Sequence, residues 1–260
     1  MAQHTDVDHA YVPAVSDRHL PALTPLTARS VAISTLLGYH PPALPVGALV
    51  RVGALFGIAE RTTRVALTRM VADGDAVAED GVYRLTDRLV RRQAAQDELT
   101  SPLTADWDGT WEMAVVTAAA RPLADRVALR KVMLGLRLAE LREGVWMRPA
   151  NLLRRPDDTV AEQCTVFTCR HPDPVALVAA LWDLQSWAAA GRGLLERLEE
   201  TEGLAEGFLL IAETYRHLQL DPCLPDLLLP ADWPAEELRS RSSDYVTAYA
   251  RRLREYAAAA

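Results

Sequence analysis

Six residues between positions 61 and 69 have side chains suited to reading duplex DNA: Arg61, Thr62, Arg64, Val65, Thr68 and Arg69. An arginine guanidinium can bind O6 and N7 of guanine together, and threonine and valine methyls fit the thymine methyl group. At 100° per residue, Arg61, Val65 and Thr68 share one side of a helix, with Arg64 and Arg69 flanking them. Ala66, Leu67, Met70 and Val71 fall on the opposite face, which is expected to be core. No acidic residue follows Glu60 on this stretch. The alternative is an ordinary solvated face, but such faces usually mix acids with lysines. Arg61, Thr62, Arg64 and Thr68 are expected to reach bases, and Arg84 to hold the DNA backbone. For Arg88, Arg91 and Arg92, phosphate contact and simple solvation of a linker helix both stay open.

Other chemistry finds little to build on. Cys164, Cys169 and Cys223 are odd in number, and a spacing of five puts the first two on opposite faces of a strand. With His171 they form an incomplete metal set, so buried reduced thiols and no metal are expected. There is no nucleophile elbow, phosphate-binding loop, zinc motif or dinucleotide fingerprint. His4, His9 and His19 sit in an N-terminal arm, and His171 and His217 read as structural. No catalytic residue and no cofactor can be assigned.

Charge is unevenly placed. The 260-residue chain has a formal net charge of −7, which disfavours indiscriminate coating of nucleic acid. Yet Arg51, Arg61, Arg64 and Arg69 face Glu60 alone in residues 51–69, and Arg84, Arg88, Arg91 and Arg92 face only Asp87 in 84–92. Acid gathers later, in Glu196, Glu199, Glu200, Glu202 and Glu206. A local basic patch on an acidic protein suits a sequence-specific binder with modest phosphate contact. Apolar runs fall short of the ~18 residues a membrane span needs, and no basic region precedes an apolar run at the N-terminus. The expectation is a soluble, cytoplasmic protein.

The elements that would position the basic face follow from caps and breakers. Residues 1–24 read as a flexible arm. Thr27 is the expected N-cap of a first helix ending at Leu37, before Gly38. Pro41, Pro42 and Pro45 punctuate a connection. A second helix spans Val46 to Phe56, Gly57-Ile58-Ala59 is a turn, and a third helix runs from Glu60 to Ala72. Two extended segments, Ala76–Glu79 and Val82–Leu85, flank Asp80-Gly81, a strong signal for a two-residue hairpin turn. Three helices followed by a hairpin give a winged helix-turn-helix over 25–95.

Residues 97–106 are a polar joint. A strand at 111–117, a helix from Pro122 to Leu134 capped by Gly135, a hairpin of Leu138–Leu141 with Val145–Arg148, and a strand at 163–170 resemble a ferredoxin-like α/β domain over 105–172. From Pro174 the pattern is helical, with stripes at Leu177, Leu181, Leu184 and Ala188 and at Phe208, Ile211, Ala212, Tyr215 and Leu218. A last helix begins near Pro234 and carries Leu238, Tyr245, Tyr249, Leu253 and Tyr256, a core or dimer stripe. The fold class is therefore multidomain α+β, with a helical C-terminal domain over 173–260.

Several stretches together carry a family resemblance. They are Thr27-Ala28-Arg29-Ser30; Arg64 to Gly74 with Tyr83-Arg-Leu-Thr86; Gly144-Val-Trp146-Met-Arg148-Pro149; and Tyr215-Arg216 with Asp221-Pro-x-Leu-Pro225 and Leu229-Pro-Ala-Asp-Trp-Pro234. The chain resembles the PaaX-like family of repressors, named for control of phenylacetic acid degradation. The resemblance implies a homodimer that releases DNA when an aryl-coenzyme A thioester binds. Because a dimer reads two half-sites about one helical turn apart, the double-stranded operator is expected to be palindromic or nearly so. The resemblance also makes Trp111, Trp146, Arg148 and Arg216 the candidate effector contacts, since they fall in or near these motifs. Two departures stand out. The wing, Glu79-Asp80-Gly81, is short and acidic at its tip, and Ala235 follows Trp-Pro where the family tends to have glycine. The middle domain also resembles small CRISPR-associated nucleases, but Val115-Val-Thr-Ala-Ala119 offers no carboxylate for their metal. A nuclease-like enzyme, or a winged helix that binds a protein partner in place of DNA, are the alternatives.

Overall fold

A computed structural model describes residues 27–39, 41–91, 102–119, 121–154 and 157–258. The expected arm over 1–24, its three histidines, residues 97–101 of the joint and Arg92 lie outside the described residues. The chain divides into two compact units, one containing Ala105–Leu184 and the other Leu23–Thr104 with Gln185–Ala260.

The unit that carries the basic face begins with α1, Ala28–Leu37. Thr27 accepts from the backbone N–H of Ser30, and Ser30 in turn accepts from the backbone N–H of Thr27, a reciprocal capping box. The helix ends at Gly38 as its sequence predicts. α2 spans Val46–Leu55 and α3 Glu60–Ala72. Strands β2, Ala76–Glu79, and β3, Val82–Leu85, pair antiparallel. Asp80 and Gly81 join them with φ of 49° and 77°, the positive pair that a type I′ turn requires. The proline-rich connection holds an unexpected strand: β1, Ala43–Pro45, pairs with Val82–Arg84 to give the order β1-β3-β2. Prolines fit there because β1 is an edge strand and short.

The same unit contains α7, Leu184–Glu200, α8, Leu204–Gln219, and α9, Ala235–Ala258. Its core joins Val31, Leu36, Leu49, Val52, Leu67, Met70 and Leu85 to Tyr249 and Leu253 of α9, with Phe208 and Ile211 of α8 packed against them. The first three helices therefore close their core with side chains from the end of the chain.

The other unit is a four-stranded antiparallel sheet in the order β5-β6-β4-β7. Its elements are β4, Trp111–Val116; α4, Leu123–Gly135; β5, Ala139–Arg142; β6, Val145–Pro149; α5, Asp158–Gln163; β7, Cys164–Cys169; and α6, Pro174–Leu181. Gly135, expected as the cap of α4, is its last residue, and Leu136 caps it. Sequence periodicity passes over α5, only six residues long and started by the Asp157 carboxylate, which accepts from Thr159 and Val160. Leu129 and Met133 of α4, Val160 and Cys164 pack on Ala114 and Trp146. The helical run expected from Pro174 is broken at Trp182-Asp183, between α6 and α7. The mixed α and β content and the two antiparallel sheets accord with the expected class. Among the described residues no helix is long and apolar enough to cross a membrane.

Candidate nucleic-acid interface

α3 divides its residues cleanly. Thr63, Leu67 and Met70 are buried, and Arg61, Thr62, Arg64, Val65, Thr68 and Arg69 are all exposed. Five of these six, with Glu60, line one open depression of about 710 Å³. The sequence reading errs at the margins of the inner face: Val71 is 38% exposed, Ala66 is only half-buried, and Thr63 takes the inward position. The physical reason is spacing. Positions 63, 67 and 70 are separated by four and three, the tightest inward stripe on this helix, and reading threonine as polar hides it.

What sets the pose of α3 is its crossing with α2. A Cβ at Gly53 would lie 2.5 Å from Thr63 Oγ1, so glycine there allows the two helices their close approach. Gly57 then turns the chain at φ +68°, a conformation costing L-residues roughly 1–2 kcal/mol. Behind α3, the buried Asp75 accepts from Arg88 Nη2 at 2.5 Å and from Arg29 Nη2, and Arg29 also reaches Asp73 at 3.0 Å. This carboxylate ties the start of α1 to the base of the hairpin. It also commits Arg88, whose role the sequence leaves open, to an internal contact.

On the exposed face, Glu60 Oε1 takes Arg64 Nε at 2.8 Å and Nη2 at 2.7 Å. Thr68 Oγ1 donates to the Arg64 carbonyl at 3.0 Å. Arg84 is exposed on β3, between Ala43 and Val77 of the neighbouring strands, and Arg91 is exposed as well. The hairpin tip, Glu79 and Asp80, is exposed and acidic.

The three expected effector residues of the sheet unit do not share one face. Trp111 and Trp146 pair with Pro149 and Ala114 respectively, which puts them on opposite faces of the sheet. Trp146 and Arg148, two apart on β6, share one face. Trp111 and Arg148 are fully buried. The Arg148 guanidinium donates to the carbonyls of Pro149 and Arg137 and to Asn151 Oδ1, at 3.0, 3.4 and 3.0 Å. Arg130 lies 5.2 Å over the Trp146 ring. Arg216, half-exposed on α8, belongs to the other unit. The three cysteines form no disulfide; Cys164 is buried, and burial pushes its thiol pKa up.

Three profiles of one family match successive parts of the chain. The PaaX-like protein profile covers residues 27–89, the PaaX protein central Cas2-like domain 104–174, and the PaaX-like protein C-terminal domain 182–259. Among solved structures, the uncharacterized protein Rv0674 from Mycobacterium tuberculosis is similar at 45% identity and a TM-score of 0.81. The match covers 88% of this chain and 98% of that one. No curated protein matches the chain.

Proposed function

The chain belongs to the PaaX-like family, whose members are regulators and not enzymes, and from that premise we propose that it is a sequence-specific DNA-binding transcriptional repressor working in the cytoplasm as a dimer. The observation that carries this is α3, whose outward face gathers Arg61, Thr62, Arg64, Val65, Thr68 and Arg69 without an acid after Glu60. Residues 25–95 act as a winged helix-turn-helix: α3 enters the major groove and Arg84 lies along phosphates. Residues 105–172 form a ferredoxin-like domain, a reading supported by the β-α-β-β-α-β order and the β5-β6-β4-β7 arrangement. Residues 173–260 are read as the helical C-terminal domain, although their first helix, α6, groups with the sheet unit. A dimer reads two half-sites about one helical turn apart, so the operator is palindromic or nearly so.

The effector in this reading is an aryl- or acyl-coenzyme A thioester. Trp146 and Arg148, two apart on one face of β6, are the candidate contacts of the sheet unit, with Trp111 on its other face, and Arg216 on α8 is a separate candidate. The test is fluorescence anisotropy on DNA from upstream of the protein's own gene, against scrambled DNA and over a salt series. A preference of about 10³ or more that weakens with salt is expected. Arg64→Ala should cost roughly 1–3 kcal/mol of specific binding if it pairs a guanine. Equal or negligible binding to every DNA tried would instead favour a protein partner, a reading to which the acidic hairpin tip gives its one foothold.

A further inference from the structure

We propose that Glu60 is a specificity-determining residue, reading cytosine in the same base pair whose guanine Arg64 holds. This rests on the DNA-binding reading above and names what that site selects. Glu60 is the one acid among the residues lining the exposed depression on α3. Its Oε1 accepts from Arg64 Nε at 2.8 Å and lies 2.7 Å from Nη2 as an ion pair, which sets the guanidinium beside the carboxylate. Only the Nε–H of the five guanidinium N–H groups is spent in a hydrogen bond here, leaving the Nη groups to donate. Glu60 Oε2 accepts no hydrogen bond from the described residues. The pair therefore offers donors next to an acceptor, in a fixed order, on the face that meets DNA.

Only one base-pair edge complements that order. In the major groove a G·C pair shows two acceptors on guanine, N7 and O6, followed by the N4 amino donor of cytosine. An A·T pair shows acceptor, donor, acceptor, and would set the adenine amino group against the guanidinium. A carboxylate near phosphates would be repelled, so Glu60 gains from DNA only where a base amino group faces it. Its simpler role, an acid in the first turn of a helix, is not sensitive to base identity, and that difference makes the proposal testable.

The experiment is selection from a randomised duplex library with the full chain and with its Glu60→Ala, Glu60→Gln and Arg64→Ala variants. The wild-type chain should enrich one G·C pair about tenfold over alternatives. Glu60→Ala and Arg64→Ala should both lose preference at that same pair and keep it elsewhere, and Glu60→Gln should move it toward A·T. If the Glu60 variants keep the wild-type preference at every position, the inference fails while the regulator reading stands. If the wild-type chain enriches no sequence, the regulator reading itself fails and takes this one with it.

Discussion

At the scale of single residues, the side chains that matter most are those whose surroundings differ from what their type suggests. His217 is 5% exposed and stacks on Trp187 at 4.3 Å between ring centroids, and Trp187 stacks in turn on Trp233 at 4.3 Å. Its Nε2 is buried with no hydrogen-bond partner among the described residues and would lie 3.3 Å from a Cβ at Gly191. Burial holds its pKa below the ordinary histidine value, against smaller upward pulls from the Trp187 hydrogen bond and the Asp221 and Glu213 charges. The unfolded chain then binds a proton that the folded chain resists, so this contribution to stability is whole above about pH 6.5 and falls as the pH drops below it. Urea midpoints measured between pH 7.5 and 5 should decline, and His217→Gln should flatten the decline. An unchanged slope in the variant would clear His217 of the effect. The sequence marks this histidine as structural but gives no sign of the aromatic stack, whose members lie on α7, α8 and the proline-rich passage between α8 and α9. The outward face of α3 is legible because periodicity alone decides it. The pairing of Glu60 with Arg64 is visible only as an i, i+4 spacing, and the inward turn of Thr63 only as a break in the apolar stripe.

At the scale of elements, punctuation residues carried most of the information. Thr27, Gly38, Glu60 and Asp80-Gly81 set boundaries that α1, α3, β2 and β3 keep to within a residue. Two short elements escaped for opposite reasons. β1 is three residues long and bracketed by prolines, so its existence depends on pairing with β3 and not on its own sequence. α5 is too short to show a period and is made by one capping aspartate. Gly53 illustrates how an element-level weakness can serve the site. Glycine lowers helix propensity by about 1 kcal/mol against alanine, yet a side chain at this position would strike Thr63 Oγ1 and push α3 away from α2. Gly53→Val is therefore expected to destabilise by roughly 1–3 kcal/mol through overpacking, in spite of the better helix former. The midpoint of thermal unfolding would measure it. A rise in midpoint would mean that the crossing is loose and that Gly53 does not set the pose of α3.

At the scale of the whole molecule, sequence order and core membership part company. The stripe Tyr245, Tyr249, Leu253 and Tyr256 is legible as an apolar side of α9, but a period cannot say what it packs against. Tyr249 and Leu253 are buried in the same core as Leu36, Val52 and Leu67, while Tyr256 is 39% exposed. For the two buried members this decides between the core and dimer readings, and it joins the stability of α3 to residues nearly two hundred positions later. Small helical segments gain most of their stability from tertiary packing, so α1 to α3 should not hold their fold independently of α9. Leu253→Ala, at 4% exposure in the parent, should cost about 2–5 kcal/mol. Because the core is shared, that loss should register in both segments when amide hydrogen exchange is compared across α1–α3 and α7–α9. Faster exchange of similar size in the two groups is the expected outcome. Faster exchange confined to α9 would mean that the contact is seated but not coupled, and that α1–α3 and the sheet beside them stand on their own core.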